Sequence, residues 1–206
     1  MSKTFISVGI SLDGFIAGPN GGPNNPLGDN GTSIHQWMYG QQAFLERLGF
    51  SGGTSNNPDN DIIDEIFNRT GANILGKRMF VEGEANWPED APFRTPVYVL
   101  THERRDPWER PGGTTFYFVN DGIGSAYEKA KQVAGAKDIR ISGGADTIRQ
   151  FLHAGLVDEL QLAIAPVFLG SGVRLFDDID NSKFYLEVAQ VIDSPHVTHV
   201  RYKVMK

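Results

Sequence analysis

The chain has 206 residues, 40% of them apolar and 11% aromatic, and sets 25 Asp and Glu against 19 Lys and Arg for a net charge of −6. That length and apolar content suit one domain over residues 1–206 and exclude disorder and collagen-like repeats, while the acidic balance argues against a general nucleic-acid or membrane-surface binder. Without cysteine there is no disulfide and no thiolate zinc site, no run of 18 apolar residues could span a bilayer, and Met1 to Phe5 leads into a strand pattern with no apolar signal core; the expectation is a cytoplasmic protein.

In chain order, Thr4 to Ile10 is β-branched and apolar and reads as a strand. Gly18 to Thr32 is rich in Gly, Asn and Pro; loops of this length are often lids or binding loops, and Gly49 to Asn60 has the same character. Between them, about Ile34 to Leu48 has helical periodicity, and a second helix follows over Asp59 to Arg69. Ala72 to Leu75 is a short apolar strand that empties into Gly76, Lys77 and Arg78 at the start of another helical turn. Strands are expected at Pro96 to Thr101, Thr114 to Val119 and Asp138 to Ser142, with helices at Ser125 to Ala134 and at Asp146 to Ala154, the last stopping at Gly155. Such alternation of strand and helix implies an α/β layer architecture. The final third differs: Glu159 to Leu169 is a long strand interrupted by Pro166, and Phe184 to Ile192 and Val197 to Val204 form two antiparallel strands joined around Ser194 and Pro195. A mixed sheet with an antiparallel C-terminal end follows.

Three strand ends carry groups suited to phosphate. Gly71 to Arg78 misses the phosphate loop of nucleoside triphosphatases by one residue, because Arg78 stands where a hydroxyl would bind magnesium, and no G-x-G-x-x-G occurs in the chain. What remains at Gly76, Lys77 and Arg78 is either a phosphate seat or a tight turn with solvated cations. Ser142, Gly143, Gly144, Ala145, Asp146 and Thr147 join a strand to a helix through a double glycine, where unpaired backbone donors can hold a pyrophosphate or Asp146 and Thr147 can simply cap. Thr101, His102, Arg104 and Arg105 suit a monoester phosphate or form a surface charge run. Together the three would grip one extended dinucleotide if they share a sheet edge.

Ser11 to Ala17 (SLDGFIA), Gly76-Lys77-Arg78, Ser142-Gly143-Gly144, Ala154 to Leu160 (AGLVDEL) and Ala165 to Gly172 (APVFLGSG) resemble the superfamily of dihydrofolate reductase and the reductase domain of riboflavin biosynthesis, along nearly the whole chain. The resemblance implies a three-layer α-β-α fold with a central mixed sheet of about eight strands, NADPH across the strand ends, a small-molecule substrate and a homodimer. Residue by residue, it implies that Ile16 and Ala17 begin a lid over the nicotinamide, that Gly76, Lys77 and Arg78 contact the phosphate region, that Thr101 with Arg104 or Arg105 reads the 2′-phosphate, and that Gly143 to Thr147 hold the pyrophosphate. The chain departs from the riboflavin reductases at Ser142, where a substrate-contacting glutamate usually stands, and in lacking the cysteines of the zinc deaminase half. It therefore resembles the stand-alone dihydrofolate-reductase-like branch. The activity expected is an NADPH-dependent reduction of a C=N or C=O bond in a small heterocyclic or ribosylated substrate. Two alternatives are the ribosylaminouracil reductase of riboflavin biosynthesis and a non-catalytic NADP-binding regulator.

Such a reduction needs a proton donor. In dihydrofolate reductases the acid lies on a helix between the lid and the Gly-Arg turn, and here that helix begins near Asp59. Ile62, Ile63, Ile66 and Phe67 form its buried stripe, leaving Asp61, Asp64 and Glu65 at the margins, with Asp64 preferred, although acids in a first turn also serve the helix dipole. Asp13 either orients substrate or stabilises the turn at Gly14. Trp37 either walls the substrate pocket or belongs to the core, and the resemblance implies that Ser142 stands toward substrate in the glutamate's place. His196 and His199 lie three apart in a strand, on opposite faces, which argues against a shared metal.

Overall fold

A computed structural model describes residues 2–180 and 182–206. The strands are β1 (Thr4–Ser11), β2 (Phe15–Ala17), β3 (Thr70–Gly76), β4 (Pro96–Leu100), β5 (Trp108–Arg110), β6 (Thr114–Val119), β7 (Asp138–Gly143), β8 (Glu159–Ala165), β9 (Val173–Arg174), β10 (Tyr185–Asp193) and β11 (Thr198–Met205). The α-helices are α1 (Gln36–Tyr39), α2 (Gln42–Arg47), α3 (Pro58–Arg69), α4 (Lys77–Glu84), α5 (Ile123–Ala134) and α6 (Ala145–His153).

Nine strands form one sheet in the order β10-β11-β8-β1-β7-β3-β4-β6-β5, and β2 pairs with β9 separately. From β8 to β6 all neighbours are parallel; β11 and β10 run antiparallel at one edge and β5 at the other. The sheet is thus mixed, one strand larger than the sequence suggests. The additional elements, β2, β5 and β9, are two or three residues long, too short for a periodicity signal.

Alternation along each strand assigns residues to faces. Ile6, Ile10, Ala72, Ile74, Ile139 and Ile141 point into the core beneath α5 and α6. On the opposite face Phe5 packs with Ile62 and Ile66 of α3, while Leu75, Val97, Val99 and Phe116 pack around Phe80 of α4. Phe80 meets Trp108, Phe116 and Phe118 edge-on, the arrangement that the aromatic quadrupole favours.

The expected helix over Ile34 to Leu48 is corrected to three short pieces, a 3-10 turn at Gly31–His35 followed by α1 and α2. Gly40 closes α1, and α2 restarts beyond Gln41, which is extended at φ −91° and ψ 134°. The expected strand Glu159 to Leu169 stops at Ala165 because Pro166 cannot donate to a ladder. No helix among the described residues is long and apolar enough to cross a membrane.

Candidate functional site

The parallel strands β1, β3, β4, β6 and β7 end on a cleft of about 690 Å³. Ile16 and Ala17 of β2 line it, as do Gly76, Lys77 and Arg78 at the β3–α4 junction, Thr101 after β4, and Ser142 to Thr147 at the β7–α6 junction. Residues spread over 132 positions of sequence thus meet along one edge, which parallel connections bring about by returning every strand to the same end.

Both junctions offer uncapped helix starts. α4 follows Gly76 and α6 follows Gly144, with no side chain bonded to the first turn in either case, so the leading N–H groups are free to meet an anion. A Cβ on Gly76 would stand 2.5 Å from Thr147 Oγ1, so glycine is what lets α6 approach the end of β3; around the corresponding point of Gly144 no atom lies within 4 Å. Asp146 accepts from Gln150 Nε2 at 2.7 Å and so turns along its own helix.

Three of the basic groups in or near the cleft have acidic partners. Lys77 pairs with Glu103, Arg78 Nε with Glu82 Oε1 at 2.8 Å, and Arg105 Nη2 with Glu84 Oε1 at 2.5 Å. Arg105 also lies 4.7 Å over the ring of Phe118. Arg104 is exposed and outside the cleft lining.

A second cavity of about 200 Å³ adjoins the first, sharing Ser7, Val8, Gly9, Met79 and Arg140 with it. Its walls include Trp37, Phe44, Phe67, Trp87 and Phe93, and its polar side chains include Arg47, Asn73, Arg140, Gln161 and His199. Ser142 Oγ donates to Asn73 Oδ1 at 2.8 Å, and Asn73 Nδ2 donates to Thr95 Oγ1 at 2.8 Å, a chain that fixes the floor between the cavities. Trp37 Nε1 is buried without a partner among the described residues.

The carboxylates singled out in the sequence as proton donors are not brought into either cavity. Asp61 and Asp64 are exposed on α3, where Asp64 accepts from Asn68 Nδ2 at 2.8 Å, and Glu65 pairs with Arg201 at 2.9 Å. Asp13 accepts from Ser11 Oγ at 2.6 Å and from the backbone N–H groups of Leu169 and Gly170 at 3.1 and 2.7 Å, tying the turn after β1 to the loop after β8. The Ser11 hydroxyl, with those backbone donors, holds its pKa down at about 2, which removes it as a proton donor near neutrality.

The buried acid of α3 is instead Asp59, 2% exposed, whose Oδ1 lies 2.7 Å from Nε2 of His199 on β11. Its position was available in the sequence: Asp59 is three, four and seven residues before Ile62, Ile63 and Ile66, on the same face. Its partner 140 positions away was not. Trp37 meets the His199 ring edge-on at 4.9 Å. Burial lowers the His199 pKa against the opposing pull of the Asp59 carboxylate. His35, over Gly9, is pushed by burial down to about 4, with the cation of Arg140 adding to the shift. Arg140 itself is reduced to about 10 by burial and by Arg47. Among the described residues no group of three or more His, Asp or Glu could hold a metal.

The uncharacterized protein YwjB of Bacillus subtilis (strain 168) is 36% identical over 179 residues, covering 87% of this chain and 85% of that protein. The structure of a putative riboflavin biosynthesis protein from Shewanella sp. PV-4 is similar with a TM-score of 0.65 at 21% identity, over 99% of each chain. Dihydrofolate reductase from Enterococcus faecalis, in complex with NADP(H), is similar with a TM-score of 0.57 at 13% identity, over 98% of this chain and 96% of that one. These likenesses bear on the fold, which is dihydrofolate-reductase-like. The profile of the RibD C-terminal domain matches residues 3–200, and the chain belongs to that family.

Proposed function

We propose that the chain, as a single domain, is an NADPH-dependent reductase that transfers hydride to a C=N or C=O bond of a small heterocyclic or ribosylated substrate. The observation that carries this reading is the pair of adjoining cavities: a long one with two uncapped helix starts, and a small aromatic one opening from its floor. The fold shared with an NADP(H)-bound dihydrofolate reductase supports it.

Bound in the long cleft, NADPH supplies the hydride. The N–H groups at the starts of α4 and α6 would donate to its pyrophosphate oxygens, and the open space at Gly144 would admit them. Ile16 and Ala17 cover the nicotinamide end. Lys77 and Arg78 attract the phosphate region and Thr101, at the same edge, the 2′-phosphate; the present partners Glu103 and Glu82 do not prevent this, since ion pairs with an exposed cation are worth only about 0–1 kcal/mol. Trp37 walls the substrate ring. His199, oriented by Asp59, lines the substrate pocket and holds the proton delivered there.

NADPH should give a fluorescence enhancement on binding and bind about tenfold tighter than NADH, the worth of one charge-assisted phosphate contact. No calorimetric heat and no thermal protection with saturating NADPH would remove the reading. Following NADPH oxidation with dihydrofolate or the ribosylaminouracil then separates the two named reductase activities, and binding with no turnover of any carbonyl or imine substrate supports the regulator.

We also infer a homodimer. Both faces of the edge strand β10 are exposed, with Tyr185 at 62%, Val188 at 60% and Val191 at 59%, an apolar edge that solitary proteins avoid. Light scattering should report twice the chain mass, and Val188→Lys with Val191→Lys should give a folded monomer. A monomeric wild type refutes the pairing.

A further inference from the structure

Among the described residues Arg140 is the one cation set into the middle of a central parallel strand, where both faces of the sheet are covered. The alternation of β7 sends Ile139 and Ile141 to the core and Arg140 to the opposite face, where it forms floor common to both cavities. Its Nη2 donates to the backbone oxygen of Ser7 at 3.1 Å, and its Nε is buried with no partner among the described residues. No carboxylate forms an ion pair with it among the described residues. An arginine keeps its charge at every working pH, and a partly buried cation with a buried, unpaired N–H favours an anion facing it.

The surroundings deepen that imbalance. Arg47 also lines the smaller cavity, stacked 4.7 Å over the ring of Phe67; its Nε donates to Pro92 O at 2.6 Å and its Nη2 to Phe93 O, both neutral acceptors. The cavity lining contains two arginines and no Asp or Glu. Asp59, the acid bonded to the lining residue His199, is occupied by that contact. Asn73, Gln161 and Ser7 add neutral polar groups, and five aromatic rings supply flat apolar wall. A cavity of about 200 Å³ suits one ring.

We propose that the substrate of the smaller pocket is a planar ring acid, bearing a carboxylate or another ionised oxygen, whose anion pairs with the guanidinium of Arg140 while the ring lies among Trp37, Phe44 and Phe67. The inference rests on the reading that this pocket receives the substrate, and it gives that substrate a charge. A cationic or basic heterocycle is excluded by the same chemistry, because nothing in the lining would answer its charge.

The test uses matched probes on the full chain: orotate against 6-methyluracil, and benzoate against benzamide. Binding is read by calorimetry and by quenching of tryptophan emission, since Trp37 and Trp87 both line the pocket. In at least one pair the acid should bind about tenfold tighter than its neutral twin, the yield of one charge-assisted contact. Arg140→Met should erase the preference while leaving the neutral probe unchanged, and Arg140→Lys, which keeps charge but loses the fork, should retain part of it. The proposal is overturned if neither acid outbinds its twin in the wild type, if the preference survives Arg140→Met, or if that variant weakens NADPH and leaves the acids unaffected. Should Arg140→Met not fold, the wild-type comparison and Arg140→Lys decide. Parallel titration with NADPH keeps the two readings apart: cofactor binding without acid preference sinks the ring acid alone, and acid preference without cofactor binding sinks the reductase alone.

Discussion

Replacing His199 with leucine is expected to destabilise the protein by about 3 kcal/mol, a fall in Tm of about 10 °C. The side chain of His199 is 3% exposed and that of Asp59 2%, and their 2.7 Å hydrogen bond joins the first turn of α3 to β11. Leucine occupies a similar volume beside Trp37, so lost packing is a small part of the effect. The larger part is a carboxylate left buried without its partner, which retains only the field of the α3 N-terminus. Asp59→Asn alone keeps a polar partner for the imidazole without charge and should cost about 1 kcal/mol. Added to His199→Leu, it should recover more than half of that variant's loss, because it removes the unpaired charge. Thermal melts of the four proteins measure this, and strictly additive losses would show that the pair is not coupled. Turnover offers an independent readout: with Asp59→Asn folded, hydride transfer should fall by about 100-fold, since the carboxylate no longer orients the His199 imidazole in the substrate pocket.

That pair marks where sequence reading reached its limit. The parallel core was legible because Thr4 to Ile10 and Ala72 to Leu75 are largely apolar runs and Asp138 to Ser142 alternates, each ending at polar or glycine punctuation, and the pattern is decided within a few residues. The cleft followed from it: Gly76 and Gly143 end neighbouring strands, so topology alone brings their turns together. The polar residues of the smaller pocket were harder. Arg140 could have been found, as a charge within the alternating strand from Asp138 to Ser142 has no solvated face to occupy once helices cover both sides. Asp59 could have been found from the Ile62, Ile63 and Ile66 stripe. What local pattern cannot supply is pairing across the sheet: Asp59 meets His199, and Ser142 meets Asn73, only because β11 and β3 take their particular places in the strand order. The break at Gly40 was missed for a related reason. The periodicity of Ile34 to Leu48 is helical throughout, but Gln41 turns extended to pair with Thr54 of the second loop, a contact with no local signature.

Between pH 6.5 and about 4 the protein is expected to lose up to about 3 kcal/mol of stability through His35. In the unfolded chain this imidazole takes up its proton near pH 6.5; in the folded chain burial and the Arg140 cation delay that until about pH 4. Through this window the unfolded state binds more protons, so the contribution of His35 is complete above pH 6.5 and drains away as the pH falls. The figure is an upper bound, since His35 lines the larger cleft and water on that side screens part of the repulsion. His199, whose pKa burial also lowers, acts in the same direction and is common to wild type and variant. Urea unfolding of wild type and His35→Asn at pH 7 and pH 4.5 isolates the term: the variant should be the less stable protein at pH 7 and should close most of the gap at pH 4.5. Parallel losses in the two proteins would show that His35 is not held neutral by its site. The same experiment reports on Arg140, because Arg140→Met takes away the repelling charge and should leave a shallower acid loss. A ring acid bound opposite that cation should do likewise in the wild type, so saturating orotate is expected to raise the pH at which His35 takes up its proton.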